Sequence, residues 1–355
     1  MYYYILISLS FGCFLLKNLN IKDKTSNLIG TSFILFSILF IISSTRYSVG
    51  SDYFSYKFIF DNNTQTEPLF SLIISFTQFL HGNYYVFVAI IFCLSFGVKL
   101  FVFNRLCYNK GFFFSLMLFC SFYYIAYEMN AIRQGISLSF AMLAAYYAYK
   151  EKTINYYIAC VVAFLFHYTA LIFIPFYVLL KIRLSKIITL LICLICIIFS
   201  LNNSFEIIID WISQLLGNGI ISYKIQAYSA NENFDNNLLF SFGTVRRFFF
   251  FILILFSYEK LDAPDRIKQI IFWGGFSTII IYLLFAEVGY FSTRLSAYYR
   301  ILECIWLSYF PFIFKRKNTR YFVIMFYFMY SLLQVHSALS AENHNLLPIQ
   351  TILFG

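Results

Sequence analysis

The chain has 355 residues, of which 61% are hydrophobic and 23% aromatic, and its formal net charge is +10 at pH 7. Only 12% of its residues are charged, whereas soluble globular domains carry about 25%. This composition excludes a soluble domain, and no polar stretch is long enough to form a separate one. We therefore predict an all-α fold, a polytopic transmembrane bundle that forms one domain over residues 1–355.

Apolar stretches alternate with short basic clusters along the chain, and each is long enough to cross a hydrocarbon core of about 30 Å as a helix. Cytoplasmic loops are enriched in Lys and Arg, so all the dense clusters are placed inside. They are Lys17/Lys22/Lys24, Lys99/Arg105/Lys110, Lys150/Lys152, Lys181/Arg183/Lys186, Lys260/Arg266/Lys268 and Lys315/Arg316/Lys317/Arg320. About ten spans are then predicted near residues 2–16, 28–44, 84–103, 111–127, 134–149, 187–201, 244–258, 269–286, 295–314 and 321–338, with both termini outside.

Two segments do not fit as simple spans, and a third is predicted to be a long outer loop. Residues 68–80 are short and lie between an outer loop and a span that begins outside, which predicts a re-entrant or interfacial piece. Residues 154–181 must enter and return on the same side, as two half-helices that meet at His167 and form a cavity wall. Residues 202–243 form an extracytoplasmic loop with a surface amphipathic helix at 205–216, which either packs on the bundle or covers a site.

Arginine dominates the basic residues placed outside, whereas lysine dominates those placed inside. A guanidinium group binds phosphate oxygens with two parallel hydrogen bonds, and an ammonium group does not. Any single arginine here could instead extend to lipid headgroups, and Arg300 could pair with Glu303 one helical turn away. As a set, the outer arginines predict an outward-facing site for phosphate or pyrophosphate. They are Arg46, Arg133, Arg246, Arg247, Arg294 and Arg300.

The stretch "RYSVGSDYFSY" places Arg46 at the outer end of a span, before a turn at Gly50. Asp52 is either the N-cap of a short helix that begins at Tyr53 or a ligand contact, and Tyr56 lies one turn later. A cation, a carboxylate and aromatic rings suit a polyhydroxylated ligand that bears a phosphate.

"EMNAIRQG" places Arg133 and Gln134 at a helix start, where the helix dipole adds positive potential. All eight cysteines lie in or beside apolar segments, which indicates packing residues rather than disulfides or metal ligands.

Three blocks resemble the EpsG family of bacterial polysaccharide polymerases, relatives of the Wzy-type O-antigen polymerases. They are "RYSVGSDYFSY", then "IRQGISLSFAMLAAYY" followed by "FLFHYTALIFIP", and "TRLSAYYR" at 293–300. The resemblance implies an enzyme that joins undecaprenyl-pyrophosphate-linked repeat units on the outer side of the bacterial cytoplasmic (inner) membrane. It also implies a fold similar to GT-C-like lipid-sugar glycosyltransferases, with no nucleotide sugar. A chain-length-determining membrane protein is the expected partner, besides lipid-linked glycans and membrane lipid, and no nucleic acid is expected.

The predicted site needs no cofactor and no metal, because arginines would stabilise the departing pyrophosphate. His167 and Asp52 are the candidate bases, although His167 could instead only hydrogen-bond at the helix break. The alternatives are a flippase or transporter of lipid-linked oligosaccharides and an O-antigen ligase. The predicted catalytic residues are Arg46, Asp52, Arg133, His167, Arg294 and Arg300, and the predicted substrate-binding residues are Tyr56, Gln134, Arg246, Arg247 and Tyr298.

Overall fold

A computed structural model describes residues 8, 12, 26–108, 111–202, 239, 241–286, 289–340 and 351–352. These residues contain helices and connecting turns and no strand, apart from an isolated bridge between Arg46 and Thr351. The prediction of an all-α fold is confirmed. The first predicted span (2–16) and the predicted amphipathic helix (205–216) lie outside the described residues, except for residues 8 and 12.

The α-helices are numbered in chain order. They are α1 (Ser26–Thr45), α2 (Tyr53–Asp61), α3 (Pro68–Phe79), α4 (Tyr84–Leu106), α5 (Phe112–Leu118), α6 (Ile132–Tyr149), α7 (Thr153–Phe166), α8 (Phe176–Leu179), α9 (Lys186–Leu201), α10 (Phe242–Ser257), α11 (Asp265–Leu284), α12 (Gly289–Arg300), α13 (Glu303–Tyr309) and α14 (Lys317–Ser340). A π-helix (Phe119–Glu128) follows α5, and 3-10 helices occupy Tyr168–Phe173, Tyr258–Lys260 and Phe310–Ile313.

In the described part of the chain, α4, α11 and α14 are long and apolar enough to cross a membrane. Each coincides with a predicted span. The other described predicted spans correspond to shorter helices or to helices with breaks. The protein is thus a helical membrane protein, and the number of ten spans stays a prediction.

The predicted break in the 154–181 segment is confirmed at His167. α7 ends at Phe166, His167 has an extended backbone (φ −160°, ψ 120°), and a 3-10 helix follows. The hydroxyl of Tyr156 in α7 donates a 2.5 Å hydrogen bond to the carbonyl of Phe173, which ties the two halves together. Residues 68–79 form the short helix α3, which begins at Pro68. The re-entrant placement of both segments stays a prediction.

Two predicted spans are not single α-helices. In the segment 111–127, α5 gives way to the π-helix, in which the amide of Met129 bonds to the carbonyl of Tyr124 five residues earlier. In the segment 295–314, residues 301–302 form a turn between α12 and α13. Apolar periodicity could not show either feature, because most residues of both segments are buried whichever helical pattern they adopt.

The predicted spacing of Arg300 and Glu303 by one turn of a single helix is wrong, because Arg300 is the last residue of α12. Glu303 begins α13. The two side chains lie on either side of a break, so they do not share a face of one helix.

The chain forms two units with dense internal contacts. Unit 1 comprises residues 1–174, 261–263 and 304–355, and unit 2 comprises residues 175–260 and 264–303. In unit 1, α6 packs against α7 and α4, and α4 packs against α1. In unit 2, α11 packs against α9, α10 and α12. The single transmembrane domain stays a prediction.

Candidate functional site

Arg46 follows the last residue of α1 and is 1% exposed. Its Nη1 donates to the carbonyl of Glu128 at 2.9 Å and lies 3.5 Å from the carbonyl of Ser43. Its Nε and Nη2 have no hydrogen-bond partner among the described residues. No described carboxylate forms an ion pair with it. Among the described residues, this buried guanidinium group therefore has two nitrogens without a hydrogen-bond partner and no acidic counter-charge.

The buried Tyr84 lies beside the guanidinium group of Arg46. Its ring meets the ring of the buried Tyr53 edge to face, with centroids 5.5 Å apart. In the described part of the chain neither hydroxyl makes a hydrogen bond of good geometry, although Tyr84 lies next to Arg46 and Tyr53 next to Ser48 and Tyr85. Buried polar atoms without a well-formed hydrogen bond are rare in proteins because they cost free energy.

The loop after Arg46 packs on the turn at residues 128–130. Gly50 has φ +99°, and a Cβ there would lie 2.7 Å from the carbonyl oxygen of Met129. The hydroxyl of Ser51 donates to Oδ1 of Asn130 at 3.2 Å. The predicted turn at Gly50 is confirmed, and the fold brings the first block of the resemblance against the residues just before the second.

α2 begins at Tyr53 as predicted, but the capping prediction for Asp52 is wrong. The Asp52 side chain makes no hydrogen bond to the start of the helix. Its backbone is helical (φ −91°, ψ 0°). An N-cap residue usually has an extended backbone, because that conformation directs its side chain at the unpaired amides of the first helical turn. The Asp52 carboxylate accepts a hydrogen bond from the Ser51 hydroxyl at 3.3 Å.

Arg133 in the first turn of α6 and His167 at the break after α7 meet at Glu67. Nη1 of Arg133 donates to Oε2 of Glu67 at 2.8 Å, and Nδ1 of His167 lies 3.8 Å from Oε1. The guanidinium group of Arg133 also lies over the ring of Tyr56, 5.6 Å from its centroid. The hydroxyl of Thr169 lies 3.4 Å from Nδ1 of His167. The structure thus brings together three of the predicted site residues.

Glu67 is 6% exposed and was not among the predicted site residues. The Glu67 carboxylate thus bridges a guanidinium group and an imidazole that belong to two different helical segments. A single acidic residue before Pro68 in a polar loop gives no sequence signal for such a role.

Lys99 was assigned to a cytoplasmic basic cluster, and this assignment is wrong. Lys99 lies inside α4 and is 0% exposed. Its Nζ lies 2.5 Å from Oε1 of Glu128 and 2.7 Å from each of Ser95 Oγ, Ser139 Oγ and the carbonyl oxygen of Gly135. An ionisable residue within an apolar stretch usually points into the interior of the helix bundle and marks a functional element. By that rule, Lys99 should not have been counted with the cytoplasmic cluster of Arg105 and Lys110.

Unit 2 has an arginine site of its own. Arg247 in α10 is 8% exposed, and its guanidinium carbon lies 3.8 Å from the centroid of the Tyr282 ring in α11. Its Nε has no hydrogen-bond partner among the described residues. Arg300 and Glu303 both act on Arg247 electrostatically, the first by repulsion and the second by attraction. Its neighbour Arg246 is half-buried, so the two adjacent arginines face different surroundings, as their spacing predicts.

The remaining predicted residues are buried to different degrees. Arg294 is half-buried, and Arg300 and Tyr298 are buried in α12 of unit 2. Gln134 is buried in α6 of unit 1. The predicted site residues are therefore divided between the two units, and the roles assigned to them stay predictions.

The fold and these residues define a class, a helical membrane protein with several buried arginines and a broken helix at a histidine. The chain belongs to the EpsG family, which matches residues 30–351 and whose members resemble Wzy-type polymerases. It is accordingly a polysaccharide polymerase-like membrane protein. No curated protein and no solved structure matches it significantly, so the similarity to GT-C-like enzymes stays a prediction.

Proposed function

We propose that this protein polymerises undecaprenyl-pyrophosphate-linked repeat units into O-antigen or a related surface polysaccharide. The reaction takes place on the outer side of the bacterial inner membrane. The observation that carries the proposal is the environment of Arg46, a buried cation with two unbonded N–H groups and no described anionic partner. Such a group suits a diphosphate that arrives with the substrate.

The growing chain is the donor, linked through its reducing-end sugar to the carrier diphosphate. The bond between the anomeric carbon and the diphosphate oxygen breaks, and its electron pair leaves with the diphosphate. Arg46 stabilises the negative charge that develops on that oxygen. Donors that are already oriented are effective because they need no rearrangement when the charge forms.

The acceptor is a hydroxyl group on the next lipid-linked repeat unit. Its oxygen forms the new bond to the anomeric carbon, and its proton passes to the imidazole of His167. Glu67 stabilises the resulting imidazolium ion, and Arg133 balances the charge of Glu67 before the transfer. Asp52, which is not used for capping, is the second candidate base.

Further contacts with the two lipid-linked substrates are assigned to the remaining predicted residues. Arg246, Arg247, Arg294 and Arg300 are assigned to the diphosphates, together with Tyr298. Tyr56 and Gln134 are assigned to the glycan. The proposal requires no metal and no cofactor, and a membrane protein that sets chain length is its expected partner.

The decisive variant is Arg46→Lys, expressed in a strain that lacks the chromosomal gene. Lysine keeps the charge but loses the planar pair of donors. We expect surface glycan on a gel to collapse from a ladder to a single repeat unit, with normal amounts of protein in the membrane. Arg105→Lys is the matched control, because Arg105 is exposed and stacks only on Phe101. A full ladder from Arg46→Lys would refute the proposal.

The same gel separates the alternative functions. Loss of a polymerase leaves a core capped with one repeat unit, because transport and ligation still operate. Loss of a flippase or a ligase leaves no capped core at all. A bare core in the null strain would therefore replace the polymerase with one of those alternatives.

A further inference from the structure

Lys99 and Glu128 form an ion pair inside unit 1 that has no place in the chemistry proposed above. Nζ of Lys99 lies 2.5 Å from Oε1 of Glu128, and the two side chains are 0% and 3% exposed. Ser95 donates to the same carboxylate oxygen at 3.0 Å and lies 3.0 Å from the hydroxyl of Ser139. The network joins α4, the π-helix and α6.

Glu128 connects this network to Arg46. Its side chain bonds to Lys99 in α4, while its backbone carbonyl accepts the 2.9 Å hydrogen bond from Nη1 of Arg46. The next two residues contact the loop that follows Arg46, at Gly50 and Ser51. The turn at 128–130 therefore contacts Lys99 through the side chain of Glu128 and Arg46 through the backbone carbonyl of Glu128.

Arg133 is connected to the same pair through α6. Lys99 contacts the carbonyl of Gly135, two residues after Arg133, and the hydroxyl of Ser139 one turn later. Gly135 lies so close to the π-helix that a Cβ there would be 2.3 Å from the carbonyl oxygen of Tyr127. Both arginines of the unit 1 site thus depend on backbone that Lys99 and Glu128 hold together.

Stability alone does not account for a buried ion pair. Removing two charges from water costs free energy that their attraction often fails to offset, and apolar residues of similar volume are commonly as stable or more so. Long π-helical segments are also uncommon, and π-helical turns are frequently found at functional sites. A role in holding neighbouring residues in position explains both the buried ion pair and the π-helix beside it.

We infer that Lys99 and Glu128 are positioning residues, which hold the 128–130 turn so that Nε and Nη2 of Arg46 face the diphosphate. This inference rests on the proposed function. It predicts that the pair matters for binding the anion and for polymer formation, and that it is dispensable for folding.

The test replaces both residues at once, as Lys99→Met together with Glu128→Met, because methionine approximates the volume of each side chain and leaves no lone charge. Purified protein in detergent is examined for its melting temperature and for its affinity for inorganic pyrophosphate, and the null strain is examined for polymer. We expect an unchanged melting temperature, at least tenfold weaker pyrophosphate binding, and a single repeat unit on the gel. Wild-type affinity together with a full ladder would overturn the inference.

A second variant is available if the double methionine protein does not accumulate. Ser95→Ala with Ser139→Ala loosens the pair and leaves both charges in place. We expect at least threefold weaker pyrophosphate binding, and unchanged binding would overturn the inference. The matched control is Lys57→Gln with Asp61→Asn, which removes an exposed ion pair in the same unit and should leave affinity and polymer unchanged.

Arg46→Lys, measured in parallel, separates this inference from the proposed function. A full ladder from Arg46→Lys refutes the proposed function itself. Loss of polymer in Arg46→Lys, with a full ladder from the double methionine variant, refutes only the positioning role.

Discussion

Glu67 accepts a 2.8 Å hydrogen bond from Arg133, which lies 66 positions further along the chain. The same carboxylate lies 3.8 Å from His167, at the break between two helical segments. One buried anion therefore orients a cation from the start of α6 and an imidazole from the end of α7. Under the proposed mechanism, Glu67 would stabilise the imidazolium ion that forms when His167 accepts the proton.

Glu67→Gln tests that arrangement, because the amide keeps the volume of the side chain and removes its charge. We expect polymer to fall by about tenfold or more, at the lower end of what a general base contributes. The amount of protein in the membrane should not change, because the Arg133 side chain is partly exposed to solvent. Asp61→Asn, which changes an exposed carboxylate at the end of α2, is the control. Equal ladders from the two variants would remove Glu67 from the site.

Gly243→Ala tests the arginine site of unit 2. A Cβ at Gly243 would lie 2.9 Å from Nη1 of Arg247, so the guanidinium group must move from its position over Tyr282. The contact is with the end of a flexible side chain, and the fold should tolerate it. We expect shorter or less polymer with an unchanged melting temperature. Gly97→Ala is the control, because nothing lies within 4 Å of a Cβ there. A normal ladder from Gly243→Ala would show that the position of Arg247 is not critical.

Gly50→Ala tests the contact between the loop after Arg46 and the 128–130 turn. An alanine at φ +99° is strained and would bring its Cβ to 2.7 Å from the carbonyl oxygen of Met129. We expect a loss of about 1–3 kcal/mol of stability, measured as a lower melting temperature of the purified protein, and loss of polymer. Gly97→Ala should be neutral or slightly stabilising, because alanine is the better helix former. Unchanged stability in Gly50→Ala would mean that the loop does not pack as described.

Cysteine labelling tests the proposed orientation in the membrane. In a cysteine-free variant, Asn63→Cys in the predicted outer loop should react with a membrane-impermeant maleimide in intact cells. Arg183→Cys, in a predicted inner loop, should react only after the membrane is permeabilised. Both positions are exposed, so access across the membrane decides the result. The reverse pattern would place Arg46 and the site on the cytoplasmic side and refute the proposed reaction.

Several elements could be predicted without coordinates because their signals are local. Long apolar stretches predict helices such as α4, α11 and α14, since a membrane helix satisfies its backbone hydrogen bonds within itself. The break at His167 followed from length and from the basic clusters on either side. The start of α2 at Tyr53 followed from Gly50 and Asp52.

Other features could not be predicted because they depend on partners far away in the chain. The π-helix lies in mostly apolar sequence, where composition does not distinguish one hydrogen-bond pattern from another. The break between α12 and α13 lies between Arg300 and Glu303, whose spacing is equally compatible with one continuous helix. Asp52 has the residue type of a helix cap. Its loop packs on the 128–130 turn, however, and its backbone there is helical, so its side chain does not point at the free amides of α2. Lys99 was grouped with its sequence neighbours although its partner, Glu128, lies 29 positions away.

The sequence by itself determined the class of protein, its helical segments and the types of residue in its site. Composition and periodicity decide these properties, because each helix is stabilised in the membrane by its own segment. Only the tertiary structure decided which charges are neutralised. Lys99 is held by Glu128, Arg133 is held by Glu67, and Arg46 has no described counter-charge. Pairing in a low-dielectric interior depends on distances of a few ångströms between residues that are remote in sequence.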